Sequence, residues 1–272
     1  MMEDKELSPV TINQQLSVLS GFCKYLLKEN YIQTNPITLI TRPKAPKLLP
    51  VYYQKGVLDQ YFERTEYYVS EDAFETFNLG IEGKAISHKR AIELYDARLR
   101  RAIISTLYSL GLRRSELISL PISALDFSRK VVLFSGKGDK MREIPMTDAF
   151  YKEISLYLQS VEVLIGSTRS LREPVFVTSK GKPLYPNYVD RAVKKELGHV
   201  AGLTGKRSPH ALRHSLATEL LNEGAELSSI KEMLGHSSLA ATQVYTHNSI
   251  SKLKHIYKTA HPRAKNGGKN GD

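Results

Sequence analysis

A chain of 272 residues with 41% hydrophobic and 25% charged side chains has material for one or two globular domains with a buried core. No apolar run approaches the roughly 20 residues of a membrane-spanning helix. The opening MMEDKELSPV lacks the basic and apolar regions of a secretory signal and the single Cys23 cannot form an internal disulfide, so a cytoplasmic protein is expected. The net charge of +11 favours a polyanionic partner, with nucleic acid ahead of an anionic membrane, because each phosphate neutralised by a cation releases condensed counterions.

In chain order, Ile12, Leu16, Leu19, Phe22, Cys23 and Leu26 recur at three- and four-residue steps, which predicts an amphipathic helix over residues 8–30, capped by Ser8 with Pro9 in its first turn. Residues 42–50, rich in proline and cations, read as an extended basic linker and a domain boundary. One amphipathic helix and a short tail cannot enclose a core, so residues 1–41 are expected to be a partial domain or to pack against something else.

Helical patterns follow over residues 55–68 and 89–110, with an unassigned stretch containing Gly80, Gly83 and Lys84 between them and a break at Gly111. A short helix is predicted over 115–120, stopped by Pro121. Residues 130–134 and 141–145 flank the glycine-rich 135–140, which predicts a β-hairpin with Lys137 on its tip. A helix over 147–164, a short strand over 175–178 and four further helices to about Tyr257 complete a domain set at residues 51–262, and residues 263–272 are expected to be a disordered tail.

Three segments carry candidate chemistry. In Ser208-Pro-His-Ala-Leu-Arg213, Ser208 and Pro209 open a helix, so His210 and Arg213 are expected to be exposed together on one face near its N-terminus while Leu212, Leu216 and Leu220 form the buried stripe. A helix N-terminus favours an anion, and phosphate is the natural occupant. In the segment 234–245, Gly235 suits a left-handed helix end, and His236 and Tyr245 fall around the following turn. In the segment 111–117, Arg113 lies just past a helix break with Glu116 one turn on. Each segment also has an ordinary reading: a capping histidine with a solvated arginine, an amphipathic tyrosine, a surface ion pair.

Taken together, these segments resemble the tyrosine recombinase (phage integrase) family, with the closing Tyr245-Thr-His and His261-Pro-Arg-Ala264 similar to its Xer branch. The family pattern is an arginine in GLRxSEL, a lysine on a β-hairpin, HxLRH, LGHSS and a tyrosine. Here it is met in order by Arg113, Lys137, His210, Arg213, His236 and Tyr245, across residues 100–262. The resemblance implies a mainly α fold with a small β-sheet (α+β), the tyrosine recombinase catalytic fold, preceded by a partial helical SAM-like core-binding domain whose first helices are missing. It implies a site-specific recombinase that cleaves double-stranded DNA through a 3′-phosphotyrosine, with four protomers on two DNA sites exchanging strands through a Holliday junction, and with room for an accessory protein.

The chemistry fits those residue types. A tyrosine hydroxyl with a pKa of about 10 needs a base or a positive field before it attacks a phosphodiester. Arg113 and Arg213 are expected to grip the non-bridging oxygens, His236 to donate to the same oxygens, and His210 to exchange a proton with Tyr245. Lys137 is the candidate acid for the departing 5′ hydroxyl, and Glu116 orients an arginine or histidine. The phosphotyrosine bond retains the energy of the broken phosphodiester, so no cofactor and no metal is expected. A DNA-binding regulator that keeps the fold, or a type IB topoisomerase, are the alternatives.

Other conspicuous residues read blandly. The Gly136-Lys-Gly138 spacing is turn chemistry rather than a phosphate loop, and His214 supports its helix. His199, His247, His255 and His261 are expected at the surface, Arg114 in solvent, and Tyr52, Tyr53, Tyr61, Tyr67 and Tyr68 in packing. Ile250, Leu253 and Ile256 recur at helical spacing beside Lys252, Lys254, Lys258 and Arg263, and the resemblance implies that this helix docks into a neighbouring protomer.

Overall fold

The computed structural model describes residues 7–44, 52–53, 55–83, 87–135, 141–166, 169–198, 200, 207–235, 257, 261 and 263, and the chain divides into two units, Met1–Leu49 and Pro50–Asp272. In the first unit, helix α1 (Pro9–Lys28) begins where the Ser8 hydroxyl accepts the Thr11 N–H and Pro9 fills the first turn. Asn35 caps the 3-10 turn Pro36–Leu39 by accepting from the Ile37 N–H, and donates to Ser20 Oγ at 3.0 Å. Of the apolar positions on α1 only Leu16 is buried, while Val18, Leu19, Phe22 and Tyr25 are exposed. The first residues of the expected linker lie along α1: Asn13 Nδ2 donates to the Pro43 carbonyl at 2.9 Å, and Arg42 Nη1 to Ser17 Oγ at 2.9 Å.

The second unit is mainly α-helical with a small antiparallel sheet. Its helices are α2 (Lys55–Arg64), α3 (Glu71–Ile81), α4 (His88–Leu110), α5 (Arg114–Ile118), α6 (Asp148–Ile165), α7 (Pro186–Leu197), α8 (Pro209–Asn222) and α9 (Leu227–Leu234). The strands are β1 (Leu125–Asp126), β2 (Val131–Ser135) and β3 (Met141–Pro145), in the order β1-β2-β3. Helix α4 is the central element. Leu99, Ile103, Ile104, Leu107, Tyr108 and Leu110 are wholly buried, so its second half is enclosed on all sides, with α3, α6, α7 and α8 packed around it.

Several expectations shift for physical reasons. The helix over 55–68 ends at Arg64 and continues as a 3-10 turn, Glu66–Val69, where the Thr65 hydroxyl bonds back to the Tyr61 carbonyl at 2.7 Å. The unassigned stretch contains α3, capped by Ser70. The expected hairpin forms with Val132 opposite Ile144 and Phe134 opposite Arg142, and β1 adds a third strand too short to show alternation in sequence. Residues 175–178 make no strand, only isolated bridges, Pro121 to Pro174 and Val177 to Pro183. This apolar run is buried, but the Val175 N–H donates to the Leu120 carbonyl and the Val177 N–H to the Tyr157 hydroxyl, so its backbone is satisfied without a strand partner.

The C-terminal residues correct three expectations. His261 is wholly buried rather than at the surface, with Nε2 donating to the Ser109 carbonyl at 3.1 Å and Nδ1 accepting the Arg263 N–H at 3.1 Å. Arg263, placed by sequence in the tail and on a helix docking elsewhere, is held in the core by Glu153 at 2.5 Å and by the Ser105 and Ser109 hydroxyls. Tyr257 is likewise buried and donates to the Ser109 carbonyl at 2.9 Å. These residues pack against α4 and α6 of their own chain. Ile250, Lys252, Leu253, Lys254, Ile256 and Lys258 lie outside the described residues.

Candidate active site

Helix α4 stops at Gly111, whose φ of 60° is left-handed. A side chain there would press on Leu234 and Leu216, so the turn packs directly against α9 and α8. The buried Leu112 anchors the chain, and Arg113 follows in extended conformation as the N-cap of α5. Three residues on, the Glu116 carboxylate reaches back to accept the Arg113 N–H at 2.9 Å and Arg113 Nη1 at 2.8 Å. The surface pair expected from sequence is present, but it is not alone.

Helix α8 begins as predicted: the Ser208 hydroxyl accepts the Ala211 N–H, Pro209 occupies the first turn, and Leu212, Leu216 and Leu220 are buried. His210 is exposed, whereas Arg213 is only 5% exposed, so the two do not share an open face. The Arg213 guanidinium turns inward and spans two helix ends, donating through Nη1 to the Gly111 carbonyl at 2.5 Å and through Nη2 to the Leu234 carbonyl. Helix α9 ends there, and Gly235 (φ 66°) takes the left-handed position expected of it.

A third guanidinium joins this turn. Arg142 on β3 donates through Nη1 to the Leu234 carbonyl at 3.3 Å and through Nη2 to Glu116 Oε2 at 3.0 Å, with its guanidinium carbon 4.9 Å from the centroid of the Phe134 ring. Arg113 Nη2 donates to the Gly235 carbonyl at 3.0 Å. Three cations thus converge on the carbonyl end of one helix, where the helix dipole and the unpaired carbonyls favour positive charge. The one carboxylate these bonds enlist is Glu116.

The electrostatics follow from that imbalance. Burial, reinforced by the charges of Arg113 and Arg142, pushes the Arg213 guanidinium down to about 10, which leaves it protonated at neutral pH. Burial would raise the Glu116 carboxyl, but the Arg113 N–H, the Arg142 charge and the Arg113 side chain outweigh it and hold Glu116 below the ordinary carboxylate range. The cluster therefore keeps a surplus of positive charge in a partly dry site, open to solvent through Arg113, whose side chain is 46% exposed. Such a site stabilises an oxyanion better than the same charges in water.

Of the residues singled out in sequence, Arg113, Glu116 and Arg213 come together here, and His210 stands on the first turn of α8. Lys137, His236 and Tyr245 lie outside the described residues. The chain does bring the cluster to their sequence neighbours: β2 and β3 bound the loop of Lys137, and Gly235 immediately precedes His236. Sequence reasoning missed Arg142. Its signal was parity, since Arg142 shares the face of the buried Ile144 while Glu143 between them is only half-buried, and a buried cation calls for a partner of opposite charge. Arg114, expected in solvent, pairs with Asp190 at 2.5 Å. Among the described residues no His, Cys, Asp and Glu group is arranged to hold a metal ion.

A family model described as the phage integrase family matches residues 85–252. The chain belongs to this family. It is 36% identical over 269 residues to "Tyrosine recombinase XerC" of Chlorobaculum parvum, covering 96% of this chain and 76% of that protein. It is 34% identical over 262 residues to the XerC of Bacillus subtilis, covering 96% and 78%. Among solved structures it is similar to the XerA recombinase, with a TM-score of 0.51, 28% identity and coverage of 96% and 86%. The integrase of mycobacterium phage Brujita shares the fold, with a TM-score of 0.55, 20% identity and coverage of 96% and 75%. The chain is thus a Xer-like tyrosine recombinase with a mainly α fold and a three-stranded sheet.

Proposed function

We propose that this chain is a site-specific DNA recombinase in which Tyr245 attacks a backbone phosphate and the cluster built around Glu116 receives it. The observation that carries this reading is the convergence of Arg113 and Arg213 on the Leu234–Gly235 turn, one residue before His236. Their surplus positive charge meets the charge that develops on the non-bridging oxygens as the phosphorus becomes pentacoordinate. His236 donates a further hydrogen bond to those oxygens, and His210 takes the proton from the Tyr245 hydroxyl. Lys137 protonates the departing 5′ oxygen. The tyrosine becomes linked to the 3′ phosphate, and attack by a 5′ hydroxyl on that bond reverses the step, so neither an external energy source nor a metal enters the balance.

Double-stranded DNA is the partner, in keeping with the net charge of +11. Exchange between two sites requires four protomers and passes through a Holliday junction; residues 1–41, within the first unit, belong to a core-binding domain, joined by the basic segment to the catalytic domain. The likeness to XerC along nearly the whole chain favours recombination over topoisomerase-like relaxation or regulation without chemistry.

The decisive test is Tyr245→Phe, which removes the nucleophilic oxygen and little else. On a nicked suicide substrate resolved by denaturing gel, the variant is expected to bind DNA like the parent and to form no covalent adduct. Parental adduct from Tyr245→Phe would remove Tyr245 from the chemistry.

A further inference from the structure

We infer that Arg142 is a positioning residue of the phosphate site, locking the hairpin strand β3 to the two arginines that hold the phosphate. Its guanidinium bonds to one acceptor of each of the two arginines. It shares Glu116 with Arg113: Oε2 accepts from Arg142 Nη2 at 3.0 Å and from the Arg113 N–H at 2.9 Å, while Oε1 accepts from Arg113 Nη1 at 2.8 Å. It also shares the Leu234 carbonyl with Arg213. Removing Arg142 therefore takes one donor at once from the carboxylate that holds Arg113 and from the carbonyl that holds Arg213.

The packing is tight enough to impose a geometry. A side chain on Gly235 would collide with the Arg142 guanidinium, so the turn before His236 and the guanidinium are fitted to each other. On its other side the guanidinium lies over Phe134, the residue paired with it across β2 and β3. The side chain is 11% exposed and its Nε is buried without an acceptor among the described residues. That places Arg142 behind the arginines rather than on the DNA. A buried cation with an unsatisfied donor is costly, and here its return is a fixed orientation for two groups whose misplacement by about 1 Å would cost roughly a hundredfold in rate.

The role rests on the reading that Arg113 and Arg213 grip the phosphate. It is tested with Arg142→Met, which keeps an unbranched apolar stem but removes the guanidinium, and Arg142→Lys, which keeps the charge but cannot span Glu116 and Leu234 together; if Arg142→Met does not fold, Arg142→Lys carries the test. Both are expected to bind a half-site like the parent and to slow covalent adduct formation about a hundredfold. The loss should add little to that of Glu116→Gln, because both variants break one network. A substrate with sulfur at the bridging 5′ position, which leaves without an acid, should rescue Lys137→Ala but not the Arg142 variants. Three results overturn the role: parental rates in both variants, a loss that multiplies with that of Glu116→Gln, or rescue by the 5′ sulfur. Arg113→Ala in the same assay separates the two readings. If it is inactive while the Arg142 variants are normal, only the role of Arg142 falls; if it keeps the parental rate, the phosphate grip falls and the role of Arg142 with it.

Discussion

His261 shows how a single buried group ties pH to stability. The ring is fixed as the neutral tautomer with the proton on Nε2, because Nε2 donates to the Ser109 carbonyl while Nδ1 must keep its lone pair for the Arg263 N–H. Burial pushes its pKa from the ordinary 6.5 down to about 3; the bond to the Ser109 carbonyl works against this and the Arg263 charge adds to it. A depressed pKa means that the unfolded chain binds the proton first. The contribution of His261 is therefore complete above pH 6.5 and is lost as pH falls toward 3, at up to about 1.4 kcal/mol per pH unit. Thermal unfolding followed between pH 7 and 5 should show a falling midpoint, and His261→Gln, whose amide can both donate and accept, should flatten it. An equal slope in the variant would assign the dependence to other groups.

At the scale of the element, α8 delivers Arg213 to the site because its first turn is fixed from two directions. Ser208 caps it by accepting from the Ala211 N–H, and the Ser208 N–H itself donates to the Tyr53 hydroxyl at 3.2 Å. Tyr53 in turn donates its N–H to Ser215 Oγ, about two turns further along the same helix, at 2.6 Å. Ser208→Ala removes the cap alone, and the expected loss is about 1 kcal/mol of stability. Since His210 is the second residue of α8 and Arg213 the fifth, fraying should act on the exposed histidine more than on the arginine, which is held by two carbonyls. Adduct formation should therefore weaken modestly. A loss as large as that of Arg213→Ala would mean that the cap, not the carbonyls, sets the arginine.

Across the second unit, a buried charge cluster closes the chain end onto the core. Glu153 on α6, 3% exposed, accepts from Arg101 on α4 at 2.6 Å and from Arg263 at 2.5 Å. Both guanidiniums lie over the Phe62 ring, Arg263 at 3.9 Å. Burial would raise the Glu153 carboxyl, but the two arginines hold it low. Truncation after Asn248 removes Tyr257, His261 and Arg263 from this packing and leaves Glu153 with Arg101. Breaking a buried pair in this way costs roughly 3–5 kcal/mol, so calorimetry should show a midpoint lowered by about 6–20 °C. A truncated chain with the parental midpoint would show that the C-terminal residues add nothing to the fold of their own protomer.

What the sequence determined by itself was local or periodic. The cap and proline at Ser208 and Pro209, the buried stripe of α8, the helix break at Gly111, the left-handed Gly235, the hairpin strands and the Arg113–Glu116 pair depend on residues within one turn or one strand of each other. Family membership was legible for the same reason, since its signature is a set of short motifs. Only the tertiary structure decided where Arg213 points, that Arg142 belongs to the site, and that His261 and Arg263 are core residues. Those three facts rest on partners 21 to 158 positions away, from the bond between Arg213 and Leu234 to that between Arg263 and Ser105, that no periodicity encodes. A polar side chain follows whichever carbonyl or carboxylate folding leaves unpaired beside it, and that is set by how helices meet, not by the residues adjacent in the chain.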